Sequence, residues 1–263
     1  MKRQKISEKF GELRERKEGA LICYVMAGDP SAEATGEIVK ALADGGADII
    51  ELGFPFSDPV ADGPTIQAAG QRALAVGMDT QRYFELVKAL EVGVPLVCMT
   101  YYNPVFRYGV EKFVERAADA GISGLIIPDI PVEEAADLKN SCEKHGLDLI
   151  FLVAPTTTGK RVRKILESSS GFLYLVSRLG VTGTREDVSS STKELLSRVE
   201  TGLPKAVGFG ISTAQQAAEV RNAGADAVIV GSAFVRIIED GKEVNEKLEA
   251  LARELKSGIL KAS

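Results

Sequence analysis

Along most of this chain the polar and apolar positions follow one recurring order: a segment with apolar residues at helical spacing, a glycine, then a short and almost uniformly apolar run. The runs stand in "ALICYVMAGDP", "ADGGADIIEL", "EVGVPLVCMTY", "DAGISGLIIPD", "KHGLDLIFLVAP", "SSGFLYLVSR", "ETGLPKAVGFG" and "NAGADAVIVGS". Between them lie helical stretches such as "SAEATGEIVKAL", "VEKFVERAADA" and "TAQQAAEVRNA". Glycine suits the junctions because it enters the left-handed C-cap conformation freely. Apolar runs alternating with helices predict parallel strands covered on both faces. Eight such units in 263 residues match a (β/α)8 barrel. A doubly wound open sheet is the alternative, but no GxGxxG follows the first run. With no Pro/Ser-rich linker, residues 1–263 read as one domain. The opening "MKRQKISEKFGELRERKEG" places Ile6, Phe10 and Leu13 on one face of an N-terminal helix. A short extra helix is expected after the last strand, opened by Gly231 and Ser232.

Composition narrows the function classes. A net charge of −5, from 32 basic and 37 acidic residues without a basic block interleaved with aromatics, argues against a nucleic-acid partner. The first residues lack the apolar centre of a signal peptide, and no later run is long enough to span a membrane. The expectation is a soluble, cytoplasmic protein. Cys23, Cys98 and Cys142 have no paired spacing, and His145 is the only histidine. Neither a Ser-His-Asp triad nor a histidine-rich zinc site can be assembled, so no metal is expected.

The segment "ELGFPFSDPVADGP" (51–64) sets Glu51, Asp58 and Asp62 among three prolines, directly after a buried-looking strand. Alternation puts Ile49 and Glu51 on one face and the apolar pair Ile50 and Leu52 on the other. Ile50 and Leu52 suit the helix-facing side, so Glu51 points into the barrel mouth, where barrel enzymes keep their chemistry. Asp62 reads either as a helix cap or as a catalytic group. Asp58, before Pro59, reads as a turn or interface residue. At the other end of the sequence, "SRLGVTGTREDVSS", "GFGIS" and "GSAFVRII" follow the sixth, seventh and eighth runs. Such loops, with the N-terminus of a short helix, form the recurring phosphate cradle of these barrels.

The stretches "MAGDP", "ELGFPFSDPVADGPTIQ", "IIPDIPVEE", "SRLGVTGTR", "GFGIS" and "IVGSA" resemble, in order and along the whole chain, the tryptophan synthase α-subunit family. The resemblance implies cleavage of indole-3-glycerol phosphate to indole and glyceraldehyde 3-phosphate. It also implies a β-subunit partner carrying pyridoxal phosphate in an α2β2 tetramer joined by an internal tunnel, with no cofactor in this chain. By motif match, Glu51 and Asp62 are the catalytic pair. Gly183, Gly210, Gly231 and Ser232 would bind the phosphate. Tyr24, Ile66, Met99, Tyr101, Ile126, Tyr174 and Phe209 would surround the indole, with plain core packing as the other reading of each. Arg178 and Thr182 fall in the lid segment, where Arg178, like Arg185, equally fits a solvated surface. Pro55, Asp58, Asn103 and Pro131 fall in loops that would face the β-subunit, or serve only as turns. Two positions depart from the pattern: Tyr24 stands where many relatives have Phe, and Met26 where Thr is frequent.

The residues also limit how a carbon–carbon bond could be cleaved. Lys205 lies at the beginning of its strand, the wrong end for a Schiff base, and one histidine cannot build an aldolase zinc site. The electron sink then has to be the substrate's own indole, protonated at C3. Glu51 is expected to carry the mobile proton and Asp62 to stay ionised beside the indole N–H. A sugar-phosphate epimerase or isomerase, a lyase working without a partner, and a catalytically silent activator are the other readings.

Overall fold

The computed structural model describes residues 3–176, 185–208 and 210–262, with side chains for the same residues apart from 185–191. All nine strands are parallel: β1 (Ala20–Met26), β2 (Ile49–Gly53), β3 (Leu96–Met99), β4 (Ile122–Ile126), β5 (Asp148–Ile150), β6 (Leu152–Val153), β7 (Leu173–Val176), β8 (Lys205–Gly208) and β9 (Ala227–Val230). They follow the order β5-β4-β3-β2-β1-β9-β8-β7-β6. The two ends of that ladder, β5 and β6, are separated only by Phe151, so the sheet curls into a nearly closed barrel. The fifth apolar run is therefore one strand that changes neighbours midway. Its first part pairs with β4 and its second with β7, and the Tyr174 N–H donates to the Phe151 carbonyl at 3.1 Å across the break.

The core forms two shells, as alternation along strands requires. Ile22, Ile49, Val97, Ile126, Ile150 and Ile229 fill the barrel interior. Ile50, Leu52, Cys98, Leu125 and Val228 face outward against the helices. Helix α1 (Ile6–Glu15) buries the expected Ile6, Phe10 and Leu13 within the interior cluster, with Phe10 and Phe172 ring centroids 6.1 Å apart. Burying each of those side chains contributes roughly 2 kcal/mol.

The outer layer starts with α2 (Ala32–Asp44), α3 (Pro64–Ala75), α4 (Thr80–Ala89), α5 (Tyr102–Tyr108) and α6 (Val110–Ala120). It continues with α7 (Ala136–His145), α8 (Gly159–Ser168), α9 (Arg185–Arg198), α10 (Ala214–Asn222), α11 (Ser232–Asp240) and α12 (Val244–Lys261). Local chemistry sets several starts: Ser31 accepts the Ala34 N–H before α2, and Thr213 with Gln216 forms a reciprocal capping box before α10. α11 is the expected short helix after the last strand, and Gly231 is its N-cap. Among the described residues, no helix is long and apolar enough to cross a membrane.

Candidate active site

Glu51 sits in β2 in register with Tyr24 of β1 and Val97 of β3. Its side chain takes the inward direction of Ile49, as alternation predicts, and the residue is 1% exposed. Its Oε2 atom is buried without a hydrogen-bond partner. Loss of water, with a smaller contribution from the Asp62 charge, pushes its pKa up to about 8. At neutral pH Glu51 is therefore a carboxylic acid holding its proton.

Asp62 comes from the proline-stiffened loop between β2 and α3. The loop is pinned at several points. Phe54 packs on Tyr83 with centroids 4.9 Å apart, and Phe56 on Tyr101 at 5.5 Å. The Ala61 N–H donates to the Tyr101 hydroxyl at 3.1 Å, and Gln67 Nε2 donates to the Asp62 carbonyl at 2.8 Å. The N-cap of α3 is Gly63, with Pro64 in the first turn and no side-chain cap. The Asp62 carboxylate thus has no capping duty. Partial burial raises its pKa, while a hydrogen bond from Tyr101 opposes that rise by favouring the ionised form. Asp62 is half-buried where Glu51 is sealed, so the shared environment places the proton on Glu51 first.

Both carboxylates line a cavity of about 500 Å3 at the C-terminal ends of the strands. Tyr24, Ile66, Met99, Tyr174, Gly210, Gly231 and Ser232 all line it. Ile126 and Tyr101, also expected in the indole pocket, are not among the residues that line this cavity. Ile126 points into the sealed barrel interior, fully buried. Tyr101 is buried, and its hydroxyl braces Ala61 and Asp62. Arg178, Thr182, Gly183 and Phe209 lie outside the described residues. Leu152, Val176, Ile229 and Arg236 also line the cavity and were not anticipated. Val176 and Ile229 stand two positions from Tyr174 and Gly231, so strand alternation signals both. Arg236, four residues past Ser232, is signalled by helical spacing.

Tyr24 and Met26, two residues apart on β1, meet each other. The Tyr24 hydroxyl donates to Met26 Sδ at 3.9 Å, so the extra polar atom has a soft partner. The Tyr24 ring also lies over Gly53, where a Cβ would overlap its hydroxyl, and Tyr174 lies over Gly208 in the same way, 2.6 Å from where a Cβ would stand.

The loops after β2, β3 and β4 are tied together: the Ala61 N–H donates to the Tyr101 hydroxyl, and the Tyr102 N–H to Asp129 Oδ1 at 2.8 Å. Asp58, Asn103 and Pro131 are exposed there. Pro55 is not: it is buried next to Phe54, which anchors the loop against Tyr83 and Phe113. Apolar surface comes instead from Val60, 78% exposed, and Phe106, 66% exposed.

Comparison with known proteins agrees with this geometry. The sequence model described as "Tryptophan synthase alpha chain" matches residues 10–261. The tryptophan synthase alpha chain of Methanosarcina barkeri is 87% identical over 263 residues, covering 100% of both chains. That of Methanosarcina acetivorans is 84% identical, covering 99% of this chain and 96% of its own. Among solved structures, the tryptophan synthase alpha subunit of Legionella pneumophila superposes with a TM-score of 0.89 at 34% identity, covering 98% of each chain. A chain of Mycobacterium tuberculosis tryptophan synthase superposes with a TM-score of 0.89 at 41% identity, covering 97% of this chain and 98% of its own. A barrel with two carboxylates at its mouth, matched end to end at this identity, leaves one assignment: the chain belongs to the tryptophan synthase alpha chain family.

Proposed function

We propose that Glu51 and Asp62 carry out, in this chain, the carbon–carbon lyase reaction of the family: cleavage of indole-3-glycerol phosphate to indole and glyceraldehyde 3-phosphate in tryptophan biosynthesis. The observation that carries the reading is the unequal pair of carboxylates. Glu51 is sealed, with its pKa raised to about 8 and one oxygen lacking any partner, while Asp62 is half-buried and hydrogen-bonded by Tyr101. Two acids pushed apart in this way supply a proton donor and a fixed negative charge at the same pH.

The Glu51 carboxyl transfers its proton to indole C3, turning the ring into an indoleninium ion. The Glu51 carboxylate left behind then takes the proton of the glycerol hydroxyl on the carbon attached to the ring. That carbon becomes the aldehyde as the C–C bond breaks and its electron pair returns to the ring. Glu51 ends protonated, ready for another turn. Asp62 accepts the indole N–H and stabilises the positive charge that develops on that nitrogen. Tyr24 and Tyr174 would flank the ring, and Gly210, Gly231 and Ser232, with Gly183 by resemblance, would hold the phosphate.

A partner β-subunit follows from the family. We assign it the pyridoxal phosphate, an α2β2 assembly, and the exposed loops around Asp58, Asn103 and Phe106 as its docking face. A cytoplasmic location fits a biosynthetic enzyme of this kind. The test is to mix the purified chain with indole-3-glycerol phosphate and follow indole. Release that accelerates on adding the β-subunit is expected, and no release under either condition would overturn the assignment.

A further inference from the structure

Helix α11 begins at the cavity, and one of its side chains is left over after every described ion pair is accounted for. Ser232, Ala233 and Arg236 line the cavity, a spacing that puts them on adjoining positions of one helical face. Arg236 is the only Lys or Arg among the described residues that do so. Its two acidic neighbours on the same helix, at i+3 and i+4, are already engaged. Glu239 Oε1 accepts from Arg72 Nη1 at 3.0 Å, and Asp240 Oδ2 pairs with Lys247 Nζ at 3.3 Å. Arg72 is itself anchored by both oxygens of the buried Asp29, which keeps Glu239 turned toward α3. The Arg236 side chain has no hydrogen bond or ion pair with any described residue, and the residue is exposed while lining the cavity.

The charge balance gives that arrangement a purpose. The cavity's other ionisable groups include Glu51 and Asp62, and a phosphate dianion entering beside ionised carboxylate is repelled. Backbone amides at a helix N-terminus offset part of this with partial charges. A guanidinium offers a full charge and a planar fork matched to two phosphate oxygens. We propose that Arg236 is a substrate-selecting residue that binds the terminal phosphate monoester and makes the chain discriminate phosphorylated from unphosphorylated indole-glycerol. The inference rests on the reading of the Gly210–Gly231–Ser232 end as the phosphate end.

The test measures kcat and KM for indole-3-glycerol phosphate in wild type, Arg236→Gln and Arg236→Lys, together with binding of glycerol 3-phosphate and inorganic phosphate by calorimetry. The expected result for Arg236→Gln is a KM rise of about 10- to 100-fold, from loss of a charge-assisted bidentate contact, with a smaller change in kcat. Phosphate-ester binding should weaken in parallel, and Arg236→Lys should recover part of it by charge alone. If wild type binds glycerol 3-phosphate competitively and Arg236→Gln binds it equally well, Arg236 has no such role while the phosphate end stands. If wild type binds neither phosphate compound in competition with substrate, the reading of that end fails and this inference with it. A fall in kcat at unchanged KM would also overturn the assignment, because it would place Arg236 with the chemistry instead.

Discussion

Replacing Glu51 by Gln should remove activity and, as pH rises, make the protein progressively more stable relative to wild type. The native carboxyl keeps its proton to about pH 8, whereas its ordinary value is 4.5. Between those values the unfolded chain has released a proton that the native state still holds. Stability therefore falls as pH rises through this window and levels off once both states are ionised. At about 1.4 kcal/mol per pKa unit, the burden is near 1 kcal/mol at about pH 5 and near 5 kcal/mol at about pH 9. Gln does not titrate. Its amide brings a pH-independent offset from whatever hydrogen bonds it gains or leaves unmade beside the cavity. The informative quantity is then the change with pH: the stability of wild type minus that of Glu51→Gln should fall by about 4 kcal/mol between pH 5 and 9. Comparing the two proteins cancels the titrations they share. Urea unfolding at several pH values, with free energies extrapolated to water, measures it. Parallel curves would refute the reasoning, because they would mean that Glu51 ionises in the folded protein as it does in the unfolded chain.

Other outcomes follow from single contacts. Indole release by wild type should decline as pH rises through about 8, as Glu51 loses the proton it must donate; a rate still rising through that range would count against it. Arg72→Ala leaves Asp29, 1% exposed, without the two 2.8 Å contacts that hold its carboxylate, and should cost about 3 kcal/mol in denaturant unfolding. Gly258→Ala in α12 should destabilise by about 1–3 kcal/mol, although Gly to Ala inside a helix ordinarily stabilises by about 1 kcal/mol. The sign reverses because the added Cβ would overlap the backbone carbonyl of Ala214 on α10, which has no flexible side chain to give way. Tyr101→Phe keeps the ring on Phe56 but removes the hydroxyl that braces Ala61 and Asp62, so kcat should fall with little change in unfolding temperature.

The barrel was legible because its signal is periodic. Ile50 and Leu52 face the helices while Ile49 faces the interior, as alternation requires, and that alone aimed Glu51 inward. The break at Phe151 was not legible, since "LDLIFLVAP" is apolar throughout and nothing local says where a strand exchanges one neighbour for another. Asp62 could not be resolved from sequence for a related reason. "DGP" offers both Asp and Gly as a cap, and only the backbone shows that Gly63 takes the position. Tyr101 lies 39 residues after Asp62 in sequence and braces it through the fold, a contact no local pattern predicts. Motif match carries a position but not the direction a side chain faces, so the burial of Ile126 and Pro55 was not legible from it. Arg236 was within reach of the helical repeat starting at Ser232. What marks it is the engagement of Glu239 and Asp240 elsewhere, and that is purely tertiary.

The central claim is that two carboxylates manage the proton traffic of carbon–carbon cleavage. The most direct measurement is single-turnover indole release by wild type, Glu51→Gln and Asp62→Asn, each first shown by circular dichroism and cooperative unfolding to be folded. Each substitution should slow release by about two to four powers of ten, the range that a general acid or base contributes. Turnover close to wild type in either folded variant would contradict the account.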